Sequence, residues 1–205
     1  RGRYTGGMKA LIVVDVQNDF LPGGSLEVPG GDQVVPRINE LMPEFELVVA
    51  TQDWHPANHG SFSSQHPGKK PGEIVSLNGL DQILWPDHCV QHSFGASFAS
   101  GLNITQIEHV VRKGTDPGVD SYSGFFDNGH KVNTGLDDLL KEKGVDTIYI
   151  VGLAGDVCVK FTALDGASLG YKTFLYKDGT RGVNLSEGDF DRALDSTDGR
   201  DNNPE

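Results

Sequence analysis

The sequence predicts an α/β fold, a three-layer αβα arrangement around a mostly parallel sheet. Two observations carry this: five short, apolar, β-branched runs, and helix-like segments set between them. The runs occupy residues 10–14, 47–51, 107–111, 147–151 and 172–176. Continuous apolar runs without strict alternation suit strands buried on both faces. Strands alternating with helices imply right-handed crossovers and hence parallel neighbours. The first helix, residues 34–42, follows the turn residues Pro29, Gly30, Gly31 and Asp32. The second, residues 134–143, stops at Gly144, and the third, residues 157–169, stops at Gly170, both in the manner of a glycine C-cap. A fourth helix begins over residues 187–194.

The chain has 205 residues, enough for one domain with a full core, and we place that domain at residues 8–195. Residues 1–7 read as a leader and residues 196–205 as a polar tail, both expected to be disordered. The formal net charge of −12 opposes polyanions, which argues against nucleic acid and anionic membrane as partners. No apolar run approaches the ~20 residues of a membrane span, and no secretory signal opens the chain. Two cysteines, Cys89 and Cys158, are too few for a disulfide framework. These features fit a reduced, cytoplasmic, enzyme-sized domain. Residues 55–101 form a long stretch rich in Gly, Pro, Ser and His; a loop of that length in a compact domain is usually functional or disordered, and its histidines and aromatics favour function.

Reactive groups fall where a parallel sheet builds sites, at the carboxyl ends of strands. The first run leads to Asp15, the second to Asp53, the third to Lys113 and the fourth to Cys158. Each alone has a plain structural reading: a turn residue, a surface amine, a packed thiol. Four together, on ends that parallel strands bring to one rim, point to a site. Cys158 opens a helix, whose unpaired N–H groups and positive dipole end favour a thiolate. Asp15 is placed to take its proton, Lys113 to stabilise both anions, and the Ala154 and Cys158 amides to form an oxyanion hole. Such a set suits acyl transfer from an amide, with ammonia leaving. Cys89 reads as a packed thiol.

A second cluster is rich in histidine. In an extended segment Asp53 and His55, two residues apart, face the same way. His59, His66, His88 and His92 lie in the following loop. Asp53, His55 and His88 together would offer a carboxylate and two imidazoles to a metal with open positions, a set compatible with Zn²⁺, Fe²⁺ or Mn²⁺. Solvated loop histidines are the plainer reading of the same residues.

Five stretches resemble one family. They are residues 11–20 (LIVVDVQNDF), 52–62 (QDWHPANHGSF), 84–90 (LWPDHCV), 120–128 (DSYSGFFDN) and 152–162 (GLAGDVCVKFT). In order and spacing the chain resembles nicotinamidases of the isochorismatase-like cysteine hydrolase superfamily, from Met8 to about Leu194. The resemblance implies a catalytic triad of Asp15, Lys113 and Cys158, an oxyanion hole at Ala154 and Cys158, and a cis peptide between Leu153 and Ala154. It implies one divalent metal, Zn²⁺ ahead of Fe²⁺ or Mn²⁺, on Asp53, His55 and His88. It also implies that Phe20, Trp85 and Tyr122 pack around a pyridine ring whose nitrogen meets that metal. The reaction implied is hydrolysis of nicotinamide to nicotinate and ammonia through a cysteine thioester, in NAD salvage, with pyrazinamide-type amides as further substrates and a homo-oligomer as a possible assembly.

The chain departs from the family pattern in three places. Gly155 stands where the family usually has Thr, which should loosen the turn shaping the oxyanion hole. Gly166 interrupts the helix after Cys158 at a cost of about 1 kcal/mol against Ala. The family's last strand and the end of its last helix are expected to be missing. Two rival readings follow: an amidase for another small amide, or a catalytically weak member with a binding or regulatory role.

Overall fold

The computed structural model of the chain describes residues 7–184 and 188–196. Residues 1–6 and 197–205, where the leader and tail were expected, lie outside them. Gly7, at the end of that leader, donates its N–H to Asp146 Oδ2 at 2.6 Å. Ser196, where the tail was expected to begin, is the last residue of a helix.

All five apolar runs become strands of one sheet. These are β1 (Met8–Val14), β2 (Leu47–Asp53), β5 (His109–Lys113), β6 (Val145–Leu153) and β7 (Lys172–Arg181), in spatial order β5-β2-β1-β6-β7. Every pairing is parallel, with Leu11 opposite Val48 on one side and Tyr149 on the other. The register between β6 and β7 shifts beyond Ile150, so that Gly152 meets Thr180. Among the described residues, β7 is the edge of the sheet and no further strand covers it. The long stretch after β2 holds a hairpin that the sequence reading missed, β3 (Ile74–Leu77) paired antiparallel with β4 (Leu80–Ile83). Its residues are mostly half-exposed or exposed, so it lacks the buried apolar run by which the other strands were found.

Alternate residues of each strand face opposite layers. Leu11 and Val13 pack in one core with Val34, Ile38 and Leu41 of α1 (Val34–Leu41). Ala10, Ile12 and Val14 pack in the other with Leu136 and Leu140 of α2 (Leu136–Glu142) and Val159 and Ala163 of α3 (Cys158–Ser168). α4 (Asp189–Ser196) follows β7. The predicted αβα layering is therefore present. Among the described residues no helix is long and apolar enough to cross a membrane.

Candidate active site

The four strand-end groups converge in the interior. Asp15, in a left-handed turn with φ of 50° just after β1, is fully buried. Asp53 ends β2, Lys113 ends β5, and Cys158 opens α3 after the turn that follows β6. Lys113 Nζ lies 2.8 Å from Asp15 Oδ2 and donates to Asp53 Oδ1 at 2.8 Å, to the Ser121 carbonyl at 2.8 Å and to Cys158 Sγ at 3.5 Å. One ammonium thus ties three strand ends to the thiol.

Neighbouring bonds fix these groups. Thr51 Oγ1 donates to Asp15 Oδ1 at 2.7 Å. Gln17 accepts the Asp53 N–H and donates to the Asp53 carbonyl, clamping the end of β2. Thr162 Oγ1 donates to the Cys158 carbonyl and accepts from Gly124 N–H, joining the start of α3 to the 120s loop. Thr51, Gln17 and Thr162 were missed as site residues in the sequence, because a hydroxyl or amide that acts through another side chain has no motif of its own.

Burial and charge act against each other here. Burial disfavours the Lys113 ammonium, but Asp15 and Asp53 outweigh it and hold the amine well above its ordinary value. Burial likewise works against the Asp53 carboxylate, yet Lys113 and His55 hold it well below the usual carboxylate range. For Asp15 burial wins over Lys113 and the value rises. Burial also pushes the Cys158 thiol well up, against the pull of Lys113. Burial thus makes the thiol harder to ionise and Asp15 more basic.

The second predicted cluster is also assembled. Ligating atoms of Asp53, His55 and His88 lie within 4.8 Å of one another, and all three residues are buried. His55 Nδ1 meets the Gly114 carbonyl at 2.7 Å and His88 Nδ1 the Pro86 carbonyl at 2.7 Å. A carbonyl only accepts, so both Nδ1 atoms carry hydrogen and a neutral ring leaves its Nε2 lone pair free. Those Nε2 atoms face Asp53 Oδ2 at 3.3 and 3.6 Å, and His55 Nε2 has no hydrogen-bond partner among the described residues. Against the effect of burial, Asp53 raises the His55 value to about 9, so a proton on Nε2 can bridge the pair when no cation is bound. With both Nε2 atoms deprotonated, the two lone pairs and the carboxylate form a donor set that fits a divalent cation. Gly114 belongs to this geometry: at φ of 67°, a Cβ there would fall 2.4 Å from His55 Cε1.

His59 was grouped in the sequence with the loop histidines. It is buried, 4.2 Å from the His55 ring between centroids, and it forms a second possible grouping with His55 and Asp120. Its nitrogens are already engaged, since Nδ1 accepts from the Ser61 N–H and Nε2 meets the Val119 carbonyl. Burial and His55 press its value down to about 4, so it stays neutral. The grouping with Asp53 and His88 is the one with free lone pairs.

Both clusters open on one cleft. Phe20, Trp85 and Tyr122 line it together with Cys158, Asp53 and His88. Asp120, Leu26 and Val183 also line it and were not singled out from sequence. Tyr122 accepts hydrogen bonds from Gln82 and Trp85, which fix both rings. The peptide between Leu153 and Ala154 is cis, and among the described residues no hydrogen bond takes up the Ala154 N–H.

Comparison with known proteins identifies the family. The isochorismatase domain model matches residues 9–194. The chain is 51% identical over 190 residues to the nicotinamidase of Escherichia coli (strain K12), covering 91% of this chain and 89% of that one. The yeast nicotinamidase, solved bound to the inhibitor nicotinaldehyde, superposes with a TM-score of 0.88 at 34% identity, covering 95% and 98% of the two chains. The pyrazinamidase of Pyrococcus horikoshii, solved in complex with zinc, gives 0.75 at 37% identity, covering 94% and 96%. The chain belongs to the isochorismatase family, among its nicotinamidase hydrolases.

Proposed function

We propose that this chain hydrolyses nicotinamide to nicotinate and ammonia through a thioester on Cys158, acts on pyrazinamide-type amides as well, and serves NAD salvage in the cytoplasm from a catalytic domain at residues 8–195. The observation that carries the reading is the Lys113 ammonium joining Asp15, Asp53 and Cys158 beneath a cleft lined by aromatic rings.

Asp15 takes the thiol proton as Cys158 Sγ bonds to the carboxamide carbon, and Lys113 holds both developing charges in place. The carbonyl electron pair moves to oxygen, which the Ala154 and Cys158 amides receive. The carbon–nitrogen bond then breaks and Asp15 returns the proton to the leaving ammonia. Water hydrolyses the thioester by the same steps in reverse, with Asp15 again as base. Phe20, Trp85 and Tyr122 orient the ring so that its carboxamide meets Cys158. A divalent cation on Asp53, His55 and His88, zinc in our reading, would supply an electrophilic anchor for the ring nitrogen. The buried set of two carboxylates and one ammonium carries an excess negative charge that such a cation offsets, which also favours the thiolate. The overall charge of −12 supports a small-molecule partner over nucleic acid or membrane.

The test is ammonia release from nicotinamide by the purified chain, with metal content measured on the same sample. Cys158→Ala is expected to abolish turnover while retaining metal. Full activity in that variant would refute the nucleophile assignment. Benzamide, lacking the ring nitrogen, is expected to be a poor substrate, and equal turnover of the two amides would refute the anchoring of that nitrogen.

A further inference from the structure

The turn that carries Ala154 into the cleft is braced from behind by the last elements of the fold. Gly155 N–H donates to the Arg181 carbonyl at 2.7 Å. The Asp156 carboxylate accepts from Val183 N–H at 2.9 Å and Asn184 N–H at 2.7 Å. Asn184 Oδ1 in turn accepts from Phe190 N–H at 2.8 Å, in the first turn of α4. The Phe190 side chain lies over the turn itself. A Cβ built on Gly155 would fall 2.2 Å from Phe190 Cε2, and one built on Gly182 would fall 2.6 Å from Phe190 Cβ. Gly155 is not in the left-handed region, so its backbone would accept a side chain; what excludes one is the Phe190 ring, together with Thr180 Oγ1, 2.7 Å from the same built Cβ.

We propose that Phe190 is a positioning residue for the oxyanion turn: its ring, seated on Gly155 and Gly182, sets where the Ala154 N–H points. The sequence suggested that Gly155 loosens this turn. The packing points the other way, because the space glycine leaves is filled by the half-buried Phe190 ring from α4. The inference rests on the reading of Ala154 as an oxyanion donor. It matters because an oxyanion donor acts only when it sits where charge develops, and a displacement of ~1 Å can cost about a hundredfold in rate.

The test compares Gly155→Ala, Phe190→Ala, Phe190→Leu and the double variant Gly155→Ala/Phe190→Ala with the active wild-type chain, in the metal-loaded form. The measurements are kcat and KM for nicotinamide, inhibition by nicotinaldehyde and by nicotinate, and the melting temperature. Nicotinaldehyde reads the turn directly. Cys158 Sγ adds to its carbonyl carbon, the thiol proton passes to Asp15, and the former carbonyl oxygen becomes an oxyanion with no leaving group to expel. Gly155→Ala and Phe190→Ala are each expected to lower kcat by roughly 10- to 100-fold and to weaken nicotinaldehyde in proportion. KM and nicotinate inhibition should move by less than about twofold. Phe190→Leu should recover most of the rate, and the double variant, in which only the Thr180 hydroxyl still meets the added methyl, should lose less than the product of the two single losses. Variants that melt lower yet keep wild-type kcat and nicotinaldehyde inhibition would overturn the proposal, as would losses confined to KM and nicotinate. Should Phe190→Ala fail to fold, Phe190→Leu and Gly155→Ala carry the same comparison. A wild-type chain inactive on nicotinamide would instead remove the functional reading, and the positioning role with it.

Discussion

Asp15 shows how a single hydroxyl tunes a buried base. Burial raises its value, while Lys113 and the hydrogen bond from Thr51 lower it. Thr51→Val keeps the shape of the side chain and removes that bond, so the Asp15 value should rise further. A base works only when deprotonated, so the acidic limb of the kcat/KM profile is expected to move to higher pH, by up to about one unit. The nicotinamide pH–rate profile measures this; an unmoved or downward-shifted limb would exclude Asp15 as the base. In the sequence only ionisable or nucleophilic side chains at strand ends stood out as site candidates. Asp15, Asp53, Lys113 and Cys158 sit at strand ends, a position a pattern of apolar runs can locate. Thr51 is one more β-branched residue in a buried strand, indistinguishable there from packing.

At the scale of elements, Gly166 illustrates the same divide. Helix propensity alone says that alanine would be better by about 1 kcal/mol. In the fold, α3 lies so close on β6 that a Cβ at 166 would fall 2.6 Å from Ile148 Cδ1. Gly166→Ala is therefore expected to lower stability by about 1–2 kcal/mol in urea denaturation. In an Ile148→Val background, which removes the offending methyl, the same substitution should cost almost nothing. Equal costs in the two backgrounds would show that close packing is not the reason for the glycine. The helices and strands themselves were readable because their apolar periods are local. The hairpin of β3 and β4 lacks a buried apolar run; its signal was the Asn78-Gly79 turn, both residues at positive φ, which the sequence reading passed over.

For the molecule as a whole, the proposed metal on these buried charges would couple binding to stability. Asp53, His55 and His88 come from β2 and the loop after it, and Lys113 ties Asp53 to β5. A cation bound only by the folded state stabilises it by mass action, about 2.7 kcal/mol at a hundredfold excess over Kd. Removing it with a chelator should therefore lower the melting temperature by roughly 5–10 °C for a chain of this size. Thermal melts with and without chelator test this, and His88→Ala should abolish the difference. An unchanged wild-type melting temperature would argue against a resident metal on these residues.

The sequence by itself determined the αβα class, the five strands, and the groups that end four of them, because each depends on residues near one another in the chain. It also carried motifs specific enough to reach the family. Only the tertiary structure decided which histidines converge with Asp53, that His59 has its nitrogens already bonded, and that Phe190 occupies the space beside Gly155. Those outcomes depend on contacts between residues far apart in sequence, such as 155 with 190 or 53 with 113, and a local pattern holds no record of which distant side chain will fill a space or share a proton.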